Sequence, residues 1–231
     1  MKTGTDWPIP ASRAGRGQLS DEASDYLREL VVSGQIRPGT RVRPELIAEA
    51  LDISSTPARE ALQALRVEGF LRYEPRRGFT VAHLTGADIR DVFTAQSLLA
   101  GELAARATSR ANATDLDNLE KIQDRLRAAA ARDDAKDVEQ LNHDFHRTVN
   151  LLAAAPKIAA TIGLLSKYAP RRFYASISGW QAATLEDHDA LLRALAAHDP
   201  TAARAAMATH ILHAGELLAA HYDERVDSSD Q

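Results

Sequence analysis

Residues 54–67 read SSTPAREALQALRV, and the organisation of the first third of the chain turns on this run. At 100° per residue, Ala58, Ala61, Leu62 and Leu65 project to one side of a helix. Arg59, Gln63 and Arg66 project to the other side, within about 60° of one another by the same geometry. Those three are long hydrogen-bonding side chains of the kind that reach base edges and phosphates. Ser54, Ser55 and Thr56 crowd the N-terminal end, where backbone N–H groups and the helix dipole favour a phosphate. The spacing predicts a hydroxyl N-cap at Thr56, Pro57 in the first helical position, and an end near Glu68 before Gly69.

Upstream, Leu19, Ala23, Tyr26, Leu27 and Leu30 fall on one helical face, and Ser33-Gly34 and Pro38-Gly39 stop that helix and make a turn. A short second helix is expected from Pro44 to Leu51, with Leu46, Ile47, Ala50 and Leu51 inward. Downstream, Phe70-Leu71-Arg72-Tyr73 and Phe79-Thr80-Val81 have strand composition and flank the turn Glu74-Pro75-Arg76-Arg77-Gly78. Arg76, Arg77 and the flexible Gly78 place positive charge at the tip of this hairpin, suited to a minor groove or a phosphate backbone. A polar stripe on one helix is ordinarily a solvated face. Three helices and a hairpin in this order over residues 19–83, however, are the layout of a winged helix-turn-helix that binds double-stranded DNA.

Charge alone does not point to DNA. The chain of 231 residues has a net charge of −4, divided as +1 over residues 1–83 and −5 over the remainder. The arginines must therefore be clustered to grip phosphates. The chain has no cysteine, which excludes a disulfide framework, a thiolate nucleophile and a Cys-type zinc site. No stretch approaches the run of about 18 apolar residues that a membrane span needs, and residues 1–17 lack the apolar core of a signal peptide. A cytoplasmic protein without membrane contact is expected. Residues 1–18, rich in Gly, Pro, Ser and Arg, read as a flexible arm.

Four runs carry a family resemblance: Ser33-Gly34-Gln35-Ile36-Arg37-Pro38-Gly39, Ile53-Ser54-Ser55-Thr56-Pro57-Ala58-Arg59-Glu60-Ala61-Leu62, Glu68-Gly69-Phe70-Leu71 and Pro75-Arg76-Arg77-Gly78-Phe79-Thr80-Val81. Together they resemble the N-terminal domain of the GntR family of bacterial regulators. The resemblance implies major-groove reading by the third helix, with Arg59 prominent and Gly78 of the wing near the minor groove. The family often has Arg where this chain has Ser55, so the base preference is expected to depart from the usual one.

After Thr85-Gly86 the pattern is helical and alanine-rich, with helices expected near 87–110, 114–131, 134–154, 157–177, 182–197 and 200–221. Short loops between six helices imply an antiparallel bundle; residues 223–231 read as a frayed tail. Asn142 and His146 are four apart and share a face, with Asn150 one turn further on. Asp144 lies about 200° around the helix from His146. His188 shares its stripe with Leu192 and Leu195, and His210 shares its own with Met207, Ala214 and Leu217. Any one of these reads best as a satisfied core histidine. Three on separate helices, one beside an inward Asn, read better as a shared polar cavity.

The runs Asn142-His143-Asp144-Phe145-His146, Glu186-Asp187-His188-Asp189-Ala190-Leu191 and Ala206-Met207-Ala208-Thr209-His210-Ile211 make residues 86–222 similar to the FCD effector domain of the FadR-type branch of the same family. The resemblance implies a cavity holding a divalent metal at Asn142, His146, His188 and His210. It also points to Gln96, where relatives commonly carry an Arg toward the effector. Imidazole nitrogens suit zinc, nickel, copper or iron. Neutral ligands leave the metal's charge uncancelled, so the cavity is expected either to bind metal loosely or to take an anion as an additional ligand, which a small carboxylate effector would supply. Asn150, Arg171, Arg172, Tyr174 and Trp180 are further candidates for holding it, the last four placed near the end of one helix.

Two rival readings remain. A metal-dependent hydrolase using His146, His188 and His210 lacks a well-placed general base, because Asp144 faces away and Glu186 and Asp187 adjoin His188 rather than oppose it. A structural adaptor predicts no salt-dependent DNA affinity. The sequence is best read as a non-enzymatic, homodimeric, mainly helical transcriptional regulator. It is expected to act as a repressor released by an effector.

Overall fold

The computed structural model describes residues 16–169, 177 and 179–229. In chain order these form α1 (Arg16–Val32), β1 (Arg41–Val42), α2 (Pro44–Leu51), α3 (Ser55–Val67), β2 (Leu71–Glu74), β3 (Gly78–Val81), α4 (Gly86–Thr108), α5 (Ala113–Ala131), α6 (Ala135–Leu152), α7 (Pro156–Leu165), α8 (Trp180–Ala196) and α9 (Pro200–Ser229). The chain divides into two compact units between Leu84 and Thr85.

In the first unit the apolar face of α3 is the keystone. Ala58, Ala61, Leu62 and Leu65 are all fully buried, as are Leu27 of α1, Ile47 of α2 and Phe70. Each buried Leu or Ile contributes about 1.5–3 kcal/mol of transfer free energy, so this face holds three helices together. Arg28 reinforces it: Nε and Nη2 donate to Glu68 Oε2 at 3.1 and 2.7 Å, fastening α1 to the C-terminal end of α3.

Three expectations for this unit need revision. Helix α1 starts at Arg16, inside the expected arm; Gly17 falls in the first turn, whose N–H groups have no intrahelical acceptor in any case. The N-cap of α3 is Ser54 rather than Thr56. Pro57 is therefore the third helical residue, where its missing N–H still costs no hydrogen bond. The wing has a third strand as well, in the order β1-β3-β2. Arg41 pairs with Thr80 and Val42 with Phe79. A strand of two residues is too short to show a period of two, so nothing in the sequence announced β1.

The second unit is a bundle built around α4 and α9. Helix α4 opens on a capping box between Thr85 and Asp88, and α5 opens on one between Asn112 and Asp115; each satisfies otherwise orphaned N–H groups. The two long helices approach closely at glycine: a Cβ on Gly215 would lie 2.5 Å from the Cβ of Phe93. Helix α9 continues to Ser229, past the expected end. Leu218, Ala219 and Tyr222 are buried, and Asp223 accepts from Gly86 N at 3.2 Å and Arg90 Nη1 at 3.1 Å. With no Gly or Pro from 216 to 229, nothing in the chain stops the helix earlier.

The expected helix 157–177 is shorter. Helix α7 ends at Leu165 and tightens into a 3₁₀ turn over Ser166–Tyr168. Ala169 is then extended, at φ −94° and ψ 115°, because it precedes Pro170 and the proline ring disfavours a helical conformation there. Trp180 does not close that helix but opens α8, following Gly179 at φ +82°.

Candidate functional site

The outer face of α3 carries Arg59, Gln63 and Arg66, all exposed, and its N-terminal end carries exposed Ser54, Ser55 and Thr56. Ser54 makes no side-chain capping bond, which leaves the hydroxyl-rich start of the helix available to an acceptor such as a phosphate oxygen. At the wing tip Arg76 adopts φ +68° and Gly78 φ +80°. Arg76 and Arg77 are exposed. Arg77 Nη1 donates to Glu74 Oε2 at 3.0 Å, and Thr80 Oγ1 donates to Glu74 Oε1 at 3.3 Å. Glu74 thus links Arg77 to Thr80 across the wing.

The sheet adds two basic residues that the sequence did not single out. Arg41 of β1 and Arg72 of β2 both stand opposite Thr80, so they flank it on one face of the wing, and both are exposed. Arg72 lay in a recognised strand. Arg41 could be placed beside it only once β1 was known.

In the helical unit, α6, α8 and α9 bring His146, His188 and His210 together, with one ligand nitrogen from each lying within 4.8 Å of the others. The Nε2 atoms of His146 and His210 are 3.1 Å apart. The His188 ring stacks on Phe145, with centroids 3.9 Å apart. His188 Nε2 and Asn142 Oδ1 are both buried without a hydrogen-bond partner, and Asn142 lies one turn before His146 on the same face of α6. Burial, then the neighbouring His210 and His143, push the His146 pKa down to about 3. Burial, followed by His210 and His146, holds His188 well below the ordinary histidine range. Both rings are therefore neutral near pH 7, the form that ligates a metal.

A carboxylate next to His188 in sequence also lies beside this cluster. Asp187 Oδ2 lies 3.5 Å from His210 Nδ1 and 2.9 Å from His213 Nδ1. Burial alone would raise its pKa, but the neighbouring His210 and His213 lower it overall. Asp187 is thus an anion behind the His210 ring, placed as outer carboxylates are around ligating histidines. The three-residue spacing of His210 and His213 on α9 was the available signal. Asp144, by contrast, accepts from Gln140 Nε2 at 3.0 Å. Among the described residues the cluster itself holds three imidazoles and no carboxylate.

The other expected residues are less closely gathered. Gln96 is buried in α4 and its Nε2 lies 3.4 Å from the Leu165 carbonyl. Asn150 is half-buried, one turn beyond His146. Arg171, Arg172 and Tyr174 lie outside the described residues.

Comparison with known proteins agrees with both units. Residues 19–81 match the model of bacterial regulatory proteins of the gntR family, and residues 91–213 match that of the FCD domain. The chain belongs to the GntR family, with an FCD domain. This GntR protein is 28% identical to an uncharacterized HTH-type transcriptional regulator of Mycobacterium tuberculosis, over 89% of its own length and 84% of the relative's. It is 26% identical to the HTH-type transcriptional repressor RspR of Escherichia coli K12, over 83% and 85% of the two chains. Among solved structures, E. coli McbR/YncC shares the fold with a TM-score of 0.68 and 24% identity, over 88% and 98% of the two chains. A GntR family member from Pseudomonas syringae pv. tomato shares it at 0.56 and 21%, over 94% and 92%. The GntR protein is a DNA-binding transcriptional regulator and not an enzyme; the hydrolase reading finds no support among these relatives. No helix among the described residues is long and apolar enough to cross a membrane.

Proposed function

We propose that this regulator reads its operator with α3 and the wing and is controlled by a divalent transition cation and a small carboxylate in the FCD domain. Ser54, Ser55, Thr56, Arg59, Gln63 and Arg66 meet the major groove and its phosphates. Arg76, Arg77 and Gly78 meet the minor groove or backbone. The observation that carries the effector half is the convergence of His146, His188 and His210 from three helices, with two acceptor atoms, His188 Nε2 and Asn142 Oδ1, buried and unpartnered. Unpaired buried acceptors cost about 1–3 kcal/mol each, and a bound cation removes that cost.

Asn142, His146, His188 and His210 would hold the cation, which supplies an electrophilic anchor for an anionic ligand. None of the four supplies a negative charge, so the charge to be balanced falls partly on Asp187 and partly on the effector. Gln96 and Asn150, with Arg171, Arg172 and Tyr174, are the proposed partners of the effector's remaining polar groups. A homodimer is proposed because one winged module spans too few base pairs for useful specificity, and a two-fold protein matches a palindromic operator. The effector then shifts the population away from the DNA-binding arrangement and relieves repression.

The deciding experiment is metal content per chain, on untagged protein purified without chelator, compared with a His188→Ala, His210→Ala double variant. About one transition metal per chain, lost in the variant, is expected. No metal in either protein would remove the cation and leave an effector held by hydrogen bonds and apolar contacts. Titration calorimetry on the loaded protein should separate small carboxylic acids from their amides; equal binding would overturn the carboxylate.

A further inference from the structure

Helix α5 contributes no atom to the histidine cluster, yet one of its residues fixes how the cluster is wired. Gln123 is fully buried. Its Nε2 lies 3.0 Å from the Leu185 carbonyl and 3.1 Å from Asp189 Oδ1, and its Oε1 lies 3.1 Å from His188 Nδ1. The direction of every bond follows from the chemistry of its ends. Arg127 can only donate, and its Nη2 donates to Asp189 Oδ1, which keeps that oxygen an acceptor. The Leu185 carbonyl is an acceptor as well. The edge of Gln123 that faces two acceptors must be the NH₂, so its carbonyl faces His188. His188 Nδ1 must then donate, and in a neutral imidazole the other nitrogen carries no proton.

We infer that Gln123 is a positioning residue of the FCD site, setting the tautomer of His188 so that a bare Nε2 lone pair is turned toward His146 and His210. This rests on the cation site proposed above. Phe145 stacks on the ring with planes 9° apart and keeps it from tilting, and a half-turn within that plane would break the bond between Nδ1 and Gln123 Oε1. Nor can the amide flip, because its oxygen would then oppose a carbonyl and a carboxylate. The result is one ligand nitrogen prepared before any cation arrives, with no proton to displace and no ring to turn. Outer partners of this kind are worth about 10–100-fold in metal affinity.

The test begins on metal-free wild-type protein, by long-range proton–nitrogen NMR of the His188 ring. A protonated Nδ1 and an unprotonated Nε2 are expected. The opposite tautomer, or a mixture, would overturn the inference. Gln123→Met keeps the volume and removes the acceptor: His188 should lose its fixed tautomer, and affinity for zinc alone should fall about 10–100-fold, in protein whose circular dichroism matches wild type. Gln123→Glu keeps an acceptor for Nδ1, since its acid form can donate to Asp189, and should retain the tautomer. Unchanged tautomer and zinc affinity in Gln123→Met would overturn the assignment. Absence of zinc binding in wild type, with the tautomer fixed there and lost in Gln123→Met, would remove the cation while leaving the wiring in place. The wild-type spectrum decides the matter even if the Met variant does not fold.

Discussion

His146 and His210 meet nitrogen to nitrogen, 3.1 Å apart, so one Nε2 carries a proton that the other accepts. Neither ring at this contact can be read alone: for both nitrogens to hold a cation, that shared proton would have to leave Nε2. With His210 the far side already faces Asp187, 3.5 Å from Nδ1.

Acid should destabilise the helical unit before most of its carboxylates titrate. His146 is pushed down to about 3 in the folded chain, whereas an unfolded histidine titrates near 6.5. Between those values the unfolded state binds a proton that the folded state refuses. Stability is therefore complete above about pH 6.5 and falls as the pH drops toward 3, by about 1.4 kcal/mol per pH unit for each such histidine. His188 acts in the same direction. Urea midpoints measured with chelator at pH 7.5 and 5.5 should show the lower value at 5.5, and His146→Leu should flatten the difference. Equal midpoints in wild type would show that these rings accept protons in place.

Arg59→Ala should weaken operator binding about 5- to 150-fold, since a bidentate arginine contributes about 1–3 kcal/mol of base discrimination. The residue is exposed, so the melting temperature should hardly move. Fluorescence anisotropy on an operator selected from random DNA measures the first quantity and calorimetry the second. Unchanged affinity would remove α3 as the reading element.

Arg28→Met should lower the melting of the winged unit and spare the helical one. It leaves Glu68, with 16% side-chain exposure, without its guanidinium partner, and breaking a buried ion pair costs about 3–5 kcal/mol. Differential scanning calorimetry should show one transition shifted and the other fixed.

Gly215→Ala sets two effects against each other. Alanine gains about 1 kcal/mol of helix propensity over glycine. The new Cβ would meet the Cβ of Phe93 at 2.5 Å, a clash with the root of a side chain that cannot rotate away. Overpacking costs about 1–3 kcal/mol, so net destabilisation is expected, measured as a lower urea midpoint. A raised midpoint would mean that α4 and α9 can separate freely.

The sequence was most legible where a side chain's neighbours are on its own helix. The two faces of α3 followed from spacing alone, and the buried and exposed residues agree with it. Asn142 and His146 were paired by the same reasoning. What escaped depends on contacts between distant segments. Strand β1 exists only because β3 is there to pair with it. Asp187 was judged by its position beside His188, but its partners are on α9. Gln123 stood in plain view as a polar residue amid Leu119, Ile122 and Leu126, all buried, and its meaning required knowing that α8 lies against it. The helical run after Pro156 cannot pass Ala169, because Pro170 disfavours a helical conformation there.

Helix α9 is unbroken over 30 residues. It carries His210 near its middle and, about 20 Å further along at 1.5 Å per residue, the Asp223 carboxylate that holds the first turn of α4. A stiff rod does not absorb displacement between two fixed points; it delivers it. His210 and the carboxylate that holds Gly86, the first residue of α4, thus sit on one uninterrupted helix. The histidine cluster and the opening of the bundle are two stations on one mechanical part.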